Sequence, residues 1–202
     1  MGKTTRAILW GVVVAGGLCL ALEARAGCAF ARIDNVQVKA LLDQVKDPRV
    51  PELDRGFALE TVICDDRPQV REQAMKEALA AADSPMLRSI ILAQILYQAK
   101  TLRLELQETP QLAERARQYV RENQGVLALS TGLSFPVEGC VNLSTNSECG
   151  SDHRIRIQGT KIDLKIGNAS DGVLELKDGG VLVGYFRPSS GAGLIPARIN
   201  LF

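Results

Sequence analysis

Two hydrophobic periods share this chain and change over beyond Gly125, which restricts it to folds with a helical part and a separate strand-built part. Val36, Val38, Leu41, Leu42 and Val45 form a helical stripe from about Asp34 to Lys46. Pro51, Pro68, Pro85 and Pro110 mark four further helix starts, because proline's missing N–H has no intrahelical partner at the first position. Asp66 or Arg67, Ser84 and Thr109 stand where N-caps belong. From Pro85 to about Glu108 the pattern is apolar around much of the helix circumference, the mark of a central helix. Leu112, Ala113, Ala116, Tyr119 and Val120 make a single stripe, so the last helix should lie at a surface and end at Gly125.

Beyond Arg154 the apolar residues alternate. Ile155, Ile157, Ile162, Leu164 and Ile166 flank a Gly159-Thr160 turn, and Val173–Leu176, Val181–Phe186 and Ala197–Leu201 continue the pattern between turn signals at Asp171-Gly172, Asp178-Gly179-Gly180 and Ser189-Ser190-Gly191. Five or six short strands at this spacing imply an antiparallel sandwich or small barrel. Helices followed by strands, without βαβ alternation, give an α+β class: an N-terminal helical bundle or short helical stack, then the β module. The expected division is a removable segment at 1–26, a helical domain at 27–125, a connecting segment with a disulfide at 126–153, and a β module at 154–202.

The helix starts also repeat. Asp47-Pro48-Arg49-Val50, Asp65-Asp66-Arg67-Pro68-Gln69-Val70-Arg71 and Asp83-Ser84-Pro85-Met86-Leu87-Arg88 begin 18 residues apart. Over about 47–108, and best at Asp66–Ala74, the chain resembles HEAT-like helical repeats. The resemblance implies stacked helix pairs that present a binding surface.

The N-terminus reads as a secretory signal. Lys3 and Arg6 precede an apolar run from Ala7 to Leu22, and Ala24-Arg25-Ala26 places small residues before a cut between Ala26 and Gly27. The run would span about 24 Å as helix, short of a hydrocarbon core of about 30 Å. Removing this segment takes a net +2 from a chain of +1, leaving about −1, without the basic excess of a nucleic-acid binder. A periplasmic or secreted location follows, with no transmembrane anchor in the mature chain.

Cys28, Cys64, Cys140 and Cys149 would then remain, an even set for an oxidising compartment. The expected pairs are Cys28–Cys64, joining the start of the first helix to the end of the second, and Cys140–Cys149, closing a polar loop. Ala26-Gly27-Cys28 also has the small residues that precede a lipidated cysteine, but Arg25 and the even cysteine count argue against lipidation at Cys28.

Catalytic signatures are sparse. His153 is the single histidine, and no G-x-S-x-G elbow, phosphate-cradling glycine loop or C-x-x-C pair occurs. Cys140 or Cys149 with His153 would offer a thiol and base, though a disulfide suits that spacing better. Asp152, Asp163, Asp171 and Asp178 are candidate calcium ligands, and Glu138, Glu148 and Glu175 are candidate acids for glycoside hydrolysis. Asn142-Leu143-Ser144 and Asn168-Ala169-Ser170 match glycosylation acceptors. No cofactor is implied. The expectation is an exported, non-enzymatic binding or scaffold protein acting on another envelope protein. An inhibitor or accessory factor of an envelope enzyme is the alternative, and an envelope hydrolase the third. Protein recovered from the producing cell should begin at Gly27, which intact mass or N-terminal sequencing measures; a retained Met1 or a lipid on Cys28 would contradict this.

Overall fold

The computed structural model describes residues 30–144, 149–150 and 152–202, so Ala26, Gly27 and Cys28 lie outside the described residues. Four helices come first: α1 (Asn35–Lys46), α2 (Glu52–Val62), α3 (Pro68–Ala81) and α4 (Pro85–Gln98). Their starts follow local chemistry. The Asp34 carboxylate accepts from the Val36 and Gln37 amides, Ser84 Oγ accepts from the Leu87 amide, and Pro68 and Pro85 sit in the first turn of α3 and α4. Pro51 stands one position earlier, as the N-cap of α2.

Two helix expectations need correction. The helix expected to reach Glu108 ends at Gln98, and Thr101–Leu106 forms strand β1. Leu102, Leu104 and Leu106 point inward while Thr101 and Arg103 face out, a two-residue alternation that satisfies the sheet. The HEAT-like resemblance thus runs past the helices into a strand. Pro110 does not open a helix, since α5 (Glu114–Glu122) starts later and has no side-chain cap. As expected, Ala116 and Val120 are its buried stripe; Gly125, at φ 71°, donates back to the Val120 carbonyl and ends it.

The remaining strands are β2 (Val126–Ser130), β3 (Ser134–Phe135), β4 (Cys140–Asn142), β5 (His153–Gln158), β6 (Lys161–Ile166), β7 (Ser170–Lys177), β8 (Val181–Arg187) and β9 (Ile195–Asn200). With β1 they form one antiparallel nine-stranded sheet, in the order β2-β1-β9-β8-β7-β6-β5-β4-β3. The sheet is single and curled, a half-barrel, instead of two facing sheets. Its terminal strands β2 and β3 are consecutive in the chain, joined by Thr131–Leu133. That link reaches at most about 15 Å from Ser130 to Ser134. Within it the Thr131 amide donates to the Lys100 carbonyl beside β1, and the Gly132 amide donates to the Asn142 carbonyl of β4.

Two inward-facing glycines permit the tight curl. A Cβ on Gly184 would overlap the Val173 carbonyl, and one on Gly172 would stand 2.9 Å from the Tyr185 carbonyl. Strand and helix residues share one buried cluster, including Leu59, Leu87, Ile91 and Leu96 from the helices and Leu104, Ile155, Leu164, Leu182 and Phe186 from the strands. Arg88 of α4 bonds Asp178 in the β7–β8 turn, and the Lys76 ammonium stands 5.3 Å from the Phe202 ring.

Arg55 is a buried charge of the helical layer, 1% exposed. Its Nε donates to the Val45 carbonyl in the last turn of α1 (2.8 Å), and its Nη2 donates to the carbonyl of Ala81, the last residue of α3 (3.0 Å). Nη1 pairs with Asp83 at 2.7 Å. One guanidinium from α2 therefore caps the C-termini of α1 and α3, where orphan carbonyls and the negative dipole end favour a cation. Arg55→Met should lower the unfolding free energy by about 3 kcal/mol, because it strands the buried Val45 carbonyl and the part-buried Ala81 carbonyl at about 1–3 kcal/mol each. Asp83→Asn, at a half-exposed site, should cost much less; urea titration of both variants checks the order.

Candidate functional site

Among the described residues, the helical layer exposes an apolar surface on α2. On α2, Arg55, Gly56, Ala58, Leu59 and Val62 turn inward. Leu53 and Phe57, four residues apart and so on one face, are 58% and 56% exposed on the other. Beside them runs an open groove of about 430 Å³ lined by Ala31, Ile33, Phe57, Glu60, Thr61 and Cys64.

The outer wall of this groove is held by an ionic clip. Ala31 forms a parallel bridge with Asp65, and its amide donates to the Cys64 carbonyl at 3.1 Å. The buried Asp65 carboxylate accepts from the Ile33 amide (3.1 Å), the Arg67 amide (2.9 Å) and the Arg67 guanidinium (2.7 and 2.8 Å). Arg67 reaches on to the Ile33 carbonyl and to Asn35 Oδ1, and Arg71 donates to the Asp65 carbonyl while stacking 4.7 Å over the Phe30 ring. Hydrogen bonds from the Arg67 guanidinium hold the Asp65 carboxyl well below the usual carboxylate range; the two backbone amides add to this and burial opposes it. The expected meeting of the start of α1 with the end of α2 is thus present at residues 31 and 64–66. Cys64 is disulfide-bonded, and Cys28, its expected partner, lies outside the described residues.

A second feature lies at the β3–β4 end. Cys140 and Cys149 are disulfide-bonded, with Cα atoms 6.2 Å apart, as their spacing predicted. Just before Cys140, a single 3-10 turn (Pro136–Glu138) carries Val137, 99% exposed. Two bonds tie this end to α4: Ser134 Oγ donates to the Tyr97 carbonyl, and the Tyr97 hydroxyl donates to the Pro136 carbonyl. The polar loop's residues 145–148, Glu148 among them, lie outside the described residues.

The sequence-suggested chemistries do not converge. With Cys140 and Cys149 oxidised together, neither offers a thiolate to the exposed His153. Asp171 is held by Arg187 and Asp178 by Arg88, and Asp163 stands across from Arg156. Glu175 bonds Lys177. Among the described residues no group of three or more His, Cys, Asp or Glu could hold a metal ion, and no helix is long and apolar enough to cross a membrane. Asn142 is buried, with its side-chain oxygen accepting from the Gly150 amide, whereas Asn168 sits exposed in the β6–β7 turn. Compared with known protein families, curated proteins and solved structures, the chain matches none.

Sequence reasoning missed the outward face of α2 and the burial of Arg55. Leu53 and Phe57 carried a signal as an i,i+4 apolar pair, but α2 also has Ala58, Leu59 and Val62, and periodicity alone does not choose between two stripes. The clip gives a pH signature. A carboxyl whose folded pKa is depressed contributes stability that is complete above its unfolded value of about 3.9 and is lost as pH falls toward the folded value. The stability gap between the native chain and Asp65→Asn should therefore be full at neutral pH and narrow steadily below about pH 5, as urea midpoints across that range would show.

Proposed function

We propose that the chain is an exported, non-enzymatic binding protein of the cell envelope that docks another envelope protein on the outward face of α2. The observation that carries this reading is the pair Leu53 and Phe57, more than half exposed beside an apolar groove on a helix whose other face is core. Exposed apolar patches rimmed by polar groups mark interaction sites, and the clip at Asp65 and Arg67 holds this one in shape before any partner arrives. Export agrees with the signal-like N-terminus and with the Cys140–Cys149 disulfide.

Burying a phenylalanine or leucine side chain is worth about 1.5–3 kcal/mol, so each anchor accounts for roughly tenfold or more in affinity. A photo-crosslinking residue at Phe57, in the producing cell, should trap a discrete protein. The purified pair should then lose about tenfold to a hundredfold in affinity with Leu53→Asp or Phe57→Asp at unchanged melting temperature. Val137, fully exposed beside the disulfide, favours a second reading as an inhibitor or accessory factor acting through that tip. That reading prevails if Val137→Asp abolishes the interaction while Phe57→Asp leaves it intact, and turnover of cell-wall material by the purified chain would favour a hydrolase.

A further inference from the structure

The outward face of the sheet carries an uneven charge. On the β5–β6 hairpin the outward positions are Arg154, Arg156, Gln158, Lys161, Asp163 and Lys165, four cations against one acid. Arg154 stands directly across from Lys165, an arrangement of like charges that is unfavourable by itself. Among the described residues none of these four cations makes an ion pair; Lys161 and Lys165 stand across from Glu175 and Asp171 of β7, but those acids bond Lys177 and Arg187. Arg154 donates to the Gly150 carbonyl.

Beside this array the same face is apolar. Val173 of β7 (52% exposed) pairs across with Tyr185 of β8 (55%), and Val183 (41%) lies two residues along from Tyr185. Asp163 and Val173 are register partners, so the apolar triangle continues the row that begins at Arg156. Cations spaced about 5 Å across strands and about 7 Å along them, next to two valines and a tyrosine, form a surface and not a pocket.

We infer that the outer face of β5–β8 docks on an anionic lipid bilayer. With four cations on the hairpin against Asp163, and the facing acids of β7 bonded to Lys177 and Arg187, charge complementarity favours a negative partner. A soluble polyanion would satisfy Arg154, Arg156, Lys161 and Lys165 but leave Val173, Val183 and Tyr185 in water. A bilayer interface takes both, with headgroup charges against the cations and the tyrosine and valines at headgroup depth. This inference is independent of the α2 reading, because it uses a different face.

The test is co-sedimentation of the chain as recovered from the producing cell, expected to begin at Gly27, with vesicles of phosphatidylglycerol in phosphatidylcholine, against phosphatidylcholine alone. Binding should need the anionic lipid and weaken as salt rises. Each basic residue near such a surface is worth about 1 kcal/mol, or roughly five-fold, so Arg156→Gln with Lys165→Gln should lower partitioning about 25-fold. Val173→Ser with Tyr185→Ser should weaken binding without changing its salt slope. Circular dichroism and melting of these variants should stay native, since all four side chains point outward. Lys39→Gln with Lys100→Gln, exposed cations elsewhere, should bind like the native chain. Equal binding to both vesicle types, native binding by the Arg156 and Lys165 variant, or an equal loss in the Lys39 and Lys100 control would overturn the inference. Capture of heparin without capture of vesicles would overturn it too, and assign the array to a polyanion.

Discussion

Strands β2 and β3 lie at opposite ends of the sheet order, yet Thr131–Leu133 is all the chain between them. A nine-stranded sheet laid flat would put its ends well over 30 Å apart at about 4.8 Å per strand, far beyond the reach of that link. The sheet has to curl until its two ends come within reach of that link, and most of the molecule follows from this. Curling gives each strand an inner and an outer side, so the inward set from Leu104 to Ile199 becomes core. It also demands two positions without a Cβ, Gly172 and Gly184, where β7 and β8 crowd together. Outward residues are left on a convex surface, and their alternation of ion pairs, free cations and a small apolar triangle is the outcome of that geometry.

Two guanidinium groups tie together the margins of the helical layer, whose interior is the shared hydrophobic cluster. Arg55 gathers two helix ends and one turn around a single planar cation, a task the compact ammonium of lysine does not match. Arg67 does related work at the edge, spanning Asp65, the Ile33 carbonyl and Asn35. Both fasten peripheral segments beside α2, so fixed polar contacts border the exposed side of that helix. A preorganised apolar face gives up less conformational entropy on binding than a mobile one.

The parts legible in the sequence were those decided locally. Pro68 and Pro85 with Ser84 placed the starts of α3 and α4, the alternation at Ile155–Ile166 placed the β5–β6 hairpin, and the short polar span between Cys140 and Cys149 disclosed their pairing. The parts decided by distant contacts were not legible. Leu102 and Leu106 continue the helical spacing of Ile91 and Ile95 well enough that Leu104 alone spoke for a strand; hydrogen bonds to β2 and β9 settle the matter. Arg55 looked like any helical arginine, because its partners come from the ends of two other helices. Curvature was invisible too, since a glycine in a strand signals a bend without saying which way the sheet turns.

The position of β1 has a consequence for how the chain is made. It is the first strand in sequence, yet one of its two neighbours is β9, the last of the described strands. While the chain emerges from its N-terminus, β1 and later β8 each wait with an open edge for the segment Ile195–Asn200 that fills the slot between them. Open edges are where strands pair with the wrong chain, and pairings this far apart in sequence form slowly. The sheet therefore closes only once Ile195–Asn200 has been made, and a chain stalled short of Ile195 carries two adhesive edges in place of a finished sheet.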